Sequence, residues 1–173
     1  MINKDFDICV GIDLGTTNSV LATVNKKLNG DLKSAIVDIA RAKDIYGDKM
    51  RFTPVREHTL PSVIYYREED NYKPLVGDFA KRQYSMRPHL VAKSIKSQMS
   101  NHKVEGLSEA IPDKTPAQVA SRILQHMLYD FGKQYKLKNI KDAVITVPAN
   151  FNALMCKATL EAAELARDRK SVV

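Results

Sequence analysis

The sequence has little cysteine, no long apolar run and no leader-like start, and each absence closes off a class of protein. Its two cysteines, Cys9 and Cys156, make neither a disulfide framework nor the paired spacing of a metal site. Apolar runs reach only a few residues, as at Val144-Ile145, far short of the roughly 20 that cross a bilayer. The start, Met1-Ile2-Asn3-Lys4-Asp5, lacks the basic segment, apolar run and small-residue cleavage site of a secretory signal. These absences together predict a cytoplasmic protein. There is also no internal repeat and no low-complexity segment. The 173 residues are 44% hydrophobic and 27% charged, with mean hydropathy −0.31, which excludes a disordered tail and a membrane protein. A chain of this length suits one domain that buries about 70% of its unfolded surface.

Charge is unbalanced. Lys and Arg number 27 against 20 acidic residues, a net +7, which points to an anionic partner without naming it. From Phe79 to Val104 there is no acidic residue at all, while Lys81, Arg82, Arg87, Lys93, Lys96 and Lys103 are basic. A nucleic-acid surface would combine such charge with a helix-turn-helix, zinc or aromatic-platform motif, and none is present. A solvated basic face is the simpler reading.

Periodicity and turn chemistry set out the elements. Asp7 to Ile12 reads as a central strand covered on both faces. A tight turn at Asp13 to Asn18 follows, then a strand from Ser19 to Val24. Further short strands are predicted at Ala35 to Ile39, Met50 to Thr53 and Ser62 to Tyr66, with Gly47-Asp48 turning the first pair. Val76-Gly77-Asp78 opens a short helix that ends before Pro88, whereas Leu90 to Met99 is ambiguous. Thr115-Pro116-Ala117-Gln118 is a capping box with proline at the first helical position. It starts a core helix that runs to about Tyr135. Asp142 to Val147 reads as a buried strand stopped by Pro148, and Asn152 caps a helix from Ala153 to Arg167, with Phe151 stapled against Cys156. This succession predicts an α/β layer architecture.

The segment with the most chemistry is Gly11-Ile12-Asp13-Leu14-Gly15-Thr16-Thr17-Asn18. Gly15 lets the backbone turn so that amide groups face an anion, and Thr16, Thr17 and Asn18 add side-chain donors. Asp13 at the strand end suits Mg²⁺, directly or through its waters. No Gly-Lys-Ser/Thr follows and no helix starts there, so this is not a Walker A loop. The same residue types also build an ordinary hairpin turn, and the loop alone leaves both readings open.

This loop, in its full form Gly-Ile-Asp-Leu-Gly-Thr-Thr-Asn-Ser, resembles the first phosphate motif of the actin-like ATPases, and within them the DnaK family of seventy-kilodalton heat-shock chaperones. The resemblance continues, in the family's order, through Leu60-Pro61-Ser62-Val63-Ile64, Val76 to Gln83, Ser94-Ile95-Lys96 and Val144 to Asn152. It implies an actin-like ATPase (ribonuclease H-like) lobe, with a mixed central sheet, flanking helices and a peripheral subdomain. The core would be residues 1–40 and 112–173, and the peripheral part 41–111. The implied cofactors are ATP or ADP and Mg²⁺. In the roles so implied, Asp13 organises Mg²⁺ through water, and Gly15, Thr16, Thr17 and Asn18 hold the β- and γ-phosphates. Lys96 reaches the γ-phosphate and attacking water, and Pro148 switches between nucleotide states. Any one lysine is more often a solvated surface group, and Pro148 also serves as a plain strand terminator.

The sequence departs from the family pattern at four positions. Asn150 stands where tyrosine is expected, Ala153 for an acidic residue, Cys156 for arginine and Ser100 for glycine. The stretch from Asn25 to Leu60 is also longer than the pattern, with extra residues around Ala42 to His58. The family's later acidic motif, second phosphate loop and adenosine pocket have no counterpart here. The expectation is therefore a first lobe truncated from a two-lobed ATPase, with weak or no ATP binding, negligible hydrolysis and exposed apolar surface when alone. In the complete protein the implied partners are nucleotide, unfolded peptides, a J-domain co-chaperone and a nucleotide exchange factor, with no membrane and no nucleic acid. Alternatives are a non-chaperone actin-like ATPase such as a filament former or sugar kinase, a degenerate scaffold lobe, and a basic nucleic-acid-binding module.

Overall fold

The structure, a computed structural model, describes residues 9–26, 32–41, 55–136, 140 and 142–168. Its first sheet is mixed. β1 (Cys9–Asp13) lies between β10 (Asp142–Thr146), to which it runs parallel, and β2 (Asn18–Lys26), which turns back antiparallel and pairs with β3 (Leu32–Val37). β6 (Leu60–Pro61) joins the start of β2. A second, antiparallel sheet has β7 (Val63–Arg67) between β8 (Lys73–Val76) and β9 (Val91–Lys93). A ribbon of β4 (Ile39–Arg41) and β5 (Val55–Glu57) stands apart from both sheets. The helices are α1 (Asp78–Gln83), α2 (Pro116–Tyr135) and α3 (Ala153–Asp168). A mixed sheet, an antiparallel sheet and few helices agree with the α/β lobe expected from sequence.

Local signals hold where they are self-contained. At the start of α2 the Thr115 hydroxyl accepts from the Gln118 amide at 3.2 Å, and the Gln118 carboxamide oxygen accepts from the Thr115 amide at 3.0 Å. The capping box is thus closed in both directions. Val119, Ile123, Leu124, Met127 and Phe131 are buried along one face of that helix, in one core with Val10, Ile12 and Leu21 of the first sheet and Ile64 and Tyr66 of the second. Before α1, Gly77 sits at φ 109° and ψ −145°, a conformation that side chains disfavour. The ambiguous stretch resolves into a 3₁₀ turn at Pro88–Leu90, then β9, then Ser94 in the left-handed region and a second 3₁₀ turn at Ile95–Gln98.

Several expectations need correction. β1 is central but not covered on both faces: Val10 and Ile12 are buried, whereas Cys9 and Asp13 are exposed and a Cβ at Gly11 would meet nothing within 4 Å. Among the described residues, only the Val10 and Ile12 face is packed. β10 is likewise not buried. Among the described residues it is an edge strand paired with β1 alone, Val144 is 59% exposed, and of its residues only Ile145 packs against the core. The predicted strand at Ala35 to Ile39 breaks at Asp38, whose carbonyl accepts from the Gln134 carboxamide at 2.7 Å, so the chain leaves β2 and enters the ribbon. Met50 to Thr53 and the turn at Gly47-Asp48 lie outside the described residues, and β4 pairs instead with Val55–Glu57. At α3, Asn152 does cap, its side-chain oxygen accepting from the Met155 amide at 2.9 Å. Cys156 is exposed, however, and the residues that pack on the core there are Phe151 and Met155.

The ribbon is held by side chains of α2. Asp130, 7% exposed, accepts from the Ala40 amide at 2.9 Å and from both terminal nitrogens of Arg56 at 2.7 and 3.1 Å. One turn earlier, His126 Nε2 lies 2.7 Å from the Ala40 carbonyl. A carbonyl only accepts, so the proton sits on Nε2. Burial pushes the His126 pKa below its ordinary 6.5, against the opposing pulls of the Ala40 carbonyl and the Asp130 carboxylate. The unfolded chain therefore binds more protons at this site, and stability falls as pH drops below about 6.5. Thermal melts from pH 7.5 to 5 are expected to show a declining Tm, with a shallower decline in His126→Gln. Equal slopes would show that this imidazole takes no part.

Candidate functional site

The tight turn between β1 and β2 is shaped by close packing of its own backbone. A Cβ at Gly15 would lie 1.9 Å from the Asn18 carbonyl oxygen, so no side chain fits there without rebuilding the turn. Leu14 anchors the turn in the core, while the side chains of Thr16, Thr17 and Asn18 are exposed and available. The far side is clamped by the Leu60-Pro61-Ser62 segment. The Ser62 amide donates to the Thr17 carbonyl at 2.8 Å, Asn18 pairs with Pro61, and the buried hydroxyls of Ser19 and Ser62 share a hydrogen bond of 2.8 Å. That clamp gives the Leu-Pro-Ser segment a physical task. It fixes the exit of the turn, leaving the hydroxyl and carboxamide groups facing outward.

Asp13 ends β1 with its carboxylate 60% exposed. Lys96 comes to it from 83 residues away, with Nζ 3.4 Å from Oδ1, and the Lys96 side chain is only 14% exposed. Its ammonium also stands 6.0 Å from the centre of the Phe151 ring. Lys96 is therefore not a solvated lysine. Neighbouring Lys93 goes elsewhere, with its ammonium 3.6 Å over the Tyr84 ring. The left-handed Ser94 and the buried Ile95 between them separate the two directions.

Thr146 at the end of β10 is in register with Asp13 across the parallel pair, and its hydroxyl donates to Asp13 Oδ1 at 3.3 Å. Pro148 follows two residues later, half-buried, its carbonyl accepting from the Phe151 amide at 3.0 Å. The structure thus gathers Asp13, Lys96, Thr146 and Phe151 around the strand end that leads into the Gly15 turn. Thr146 is not singled out by sequence, and Phe151 is read there only as a helix staple, not as part of the site. Only the parallel register of β1 and β10 would have pointed to Thr146.

This surface suits a polyphosphate and a hydrated divalent ion. A lone exposed carboxylate beside hydroxyls matches Mg²⁺, which keeps several waters and takes one or two carboxylates. Among the described residues there is no cluster of three or more His, Cys, Asp or Glu side chains that could hold a metal by itself. The remaining basic residues of the Phe79 to Val104 stretch are dispersed. Arg87 donates to the Tyr65 hydroxyl at 2.8 Å, Lys103 pairs with Glu109, and Arg82 stands 5.8 Å over the Phe79 ring. Among the described residues, no helix is long and apolar enough to cross a membrane. Both thiols, Cys9 and Cys156, are exposed and free.

Comparison with known proteins adds family context to this geometry. Residues 9–167 match the family described as Hsp70 protein. The chain is 33% identical over 164 residues to the protein named "Chaperone protein DnaK" from Mesomycoplasma hyopneumoniae strain 232, and equally so to that of strain 7448. The alignment takes in 92% of this chain and 22% of each relative, so the chain spans about a fifth of the length of the curated relatives it matches.

Proposed function

The chain belongs to the Hsp70 family, and from that premise we propose that it is the phosphate-binding part of an ATP-dependent chaperone, working on ATP and ADP with Mg²⁺. The observation that carries this reading is the meeting of Lys96 and Asp13 at 3.4 Å beside the Gly15 turn. An ordinary hairpin has no use for a largely buried lysine brought from 83 residues away.

Phosphoryl transfer is mainly positioning and charge neutralisation. The Gly15 to Asn18 turn holds the β- and γ-phosphates with backbone amides and the exposed groups of Thr16, Thr17 and Asn18. Asp13 would hold a hydrated Mg²⁺ bound with the nucleotide, and that ion would supply neutralisation of phosphate charge. Lys96, kept from full solvation by its surroundings, places one positive charge where the γ-phosphate accumulates negative charge. Phe151 limits the directions that its chain can take.

The rest of a protein of the relatives' length supplies the other wall of the cleft, and this chain alone binds ATP weakly. In that setting residues 1–40 and 112–173 form the core subdomain and 41–111 the peripheral one. The partners are unfolded peptides, a J-domain co-chaperone and a nucleotide exchange factor, and the site of action is the cytoplasm. Pro148 acts as the switch between nucleotide states. Cys156 is exposed on α3 where the family pattern has arginine, and a thiol cannot reproduce the five donors of a guanidinium. The relay from Pro148 therefore uses other groups here.

Gly15→Ala tests the proposal. In a protein of the relatives' length that contains this segment, calorimetry is expected to show ATP affinity reduced by roughly 10- to 100-fold, the cost of losing one hydrogen bond to a charged phosphate at about 1.5–3 kcal/mol. Affinity equal to wild type would remove the turn from the phosphate site.

A further inference from the structure

We propose that Thr146 is the positioning residue that fixes the Asp13 carboxylate for its task. The inference rests on the reading of Asp13 as the group that organises Mg²⁺, and adds a role for a residue outside the phosphate turn. The Asp13 side chain is 60% exposed, so burial does little to hold it in one rotamer. Two donors do so instead, and both choose the same oxygen. The Thr146 hydroxyl donates to Oδ1 at 3.3 Å and the Lys96 ammonium to Oδ1 at 3.4 Å. Among the described residues Oδ2 has no such donor, and it is the oxygen left for a hydrated ion.

Thr146 is suited to this by its backbone as well as its hydroxyl. The parallel register sets Thr146 beside Asp13 on the same face of the sheet, and a β-branched side chain in a strand has few χ1 choices. The direction of the Oγ1–H donor is thus set by β10. Lys96, on a long flexible stem, can leave Asp13 for a phosphate when one binds; Thr146 stays. Once the ammonium turns away, the threonine hydroxyl alone keeps Oδ1 occupied and Oδ2 facing out. Because Pro148 follows two residues later, displacement of that segment moves the hydroxyl and loosens the carboxylate.

The test is made in a protein of the relatives' length that contains this segment. ATP affinity is measured in Mg²⁺ and again in EDTA, and the ratio is the gain due to the ion. Thr146→Val keeps the shape and branching but removes the donor. It is expected to lower the Mg²⁺ gain by about 10-fold, the low end for groups that orient a metal ligand, with affinity in EDTA unchanged. Thr146→Ser is expected to recover most of the gain. The proposal is overturned if Thr146→Val retains the full gain, if it loses affinity equally in EDTA, or if serine fails to restore it. A wild-type protein that binds ATP with no Mg²⁺ gain would overturn the reading of Asp13 itself, and this inference with it.

Discussion

Replacing Lys96 by alanine in a protein of the relatives' length is expected to slow ATP hydrolysis by about 100- to 1,000-fold, the cost of removing one charge-stabilising group, while changing ATP affinity by only a few-fold. The split follows from geometry. In the proposed function, ground-state binding is carried by the turn at Gly15 to Asn18, which Lys96 does not build. The ammonium would act where charge grows during transfer, so its loss would lower kcat without raising KM to match. Its side chain is 14% exposed and stands between Asp13 and the Phe151 ring, within reach of a group bound at the turn. Single-turnover hydrolysis with pre-bound ATP isolates the chemical step. Unchanged turnover would place Lys96 outside the reaction, whatever its contact with Asp13.

The second large effect concerns stability. Asp113, 2% exposed, accepts from Arg122 Nε at 2.6 Å and Nη2 at 2.7 Å, and from the Tyr66 hydroxyl at 2.9 Å. The network ties α2 to β7 across the core. Burial works against the guanidinium's charge, and the hydrogen bonds and charge of Asp113 overcome it. Arg122→Ala leaves a carboxylate buried with one neutral donor. Breaking such a pair from one side costs about 3–5 kcal/mol. For a chain of this size that is a Tm drop of roughly 6–20 °C at about 2–4 °C per kcal/mol. Calorimetric melts measure it directly. The double change Asp113→Leu with Arg122→Met should recover much of the loss, because two apolar groups need no partner. A drop below about 2 °C in Arg122→Ala would mean that Asp113 finds compensation from water or protonation.

How much of this was legible depended on the range of each interaction. The α2 capping box, the Asn152 cap and the turn at Gly15 are closed by groups within four residues, and sequence spacing specified all three. The exposure of β10 was not legible. Asp142 to Val147 is apolar enough for a buried strand, but Val144 lies in register with Gly11 on the sheet face that no described residue covers. The break at Asp38 was equally hidden, because it depends on Gln134 and on Asp130 receiving Arg56, contacts between segments far apart in the chain. At the site, the resemblance supplied Asp13, Lys96 and the turn as separate residues, and the meeting of Asp13 with Lys96 came from the fold. Thr146 carried no signal of its own, since its role arises from a parallel register that no local pattern encodes.

The two exposed cysteines give the molecule a built-in pair of labelling positions. Cys9 opens β1, four residues before Asp13, and Cys156 lies in the first turns of α3, four residues after its cap at Asn152. One thiol therefore marks the strand that feeds the Gly15 turn, and the other marks the helix that follows the Pro148 segment. Maleimide dyes on these native side chains would report the separation of the two elements as nucleotide is added. Within this chain no cysteine has to be introduced or removed.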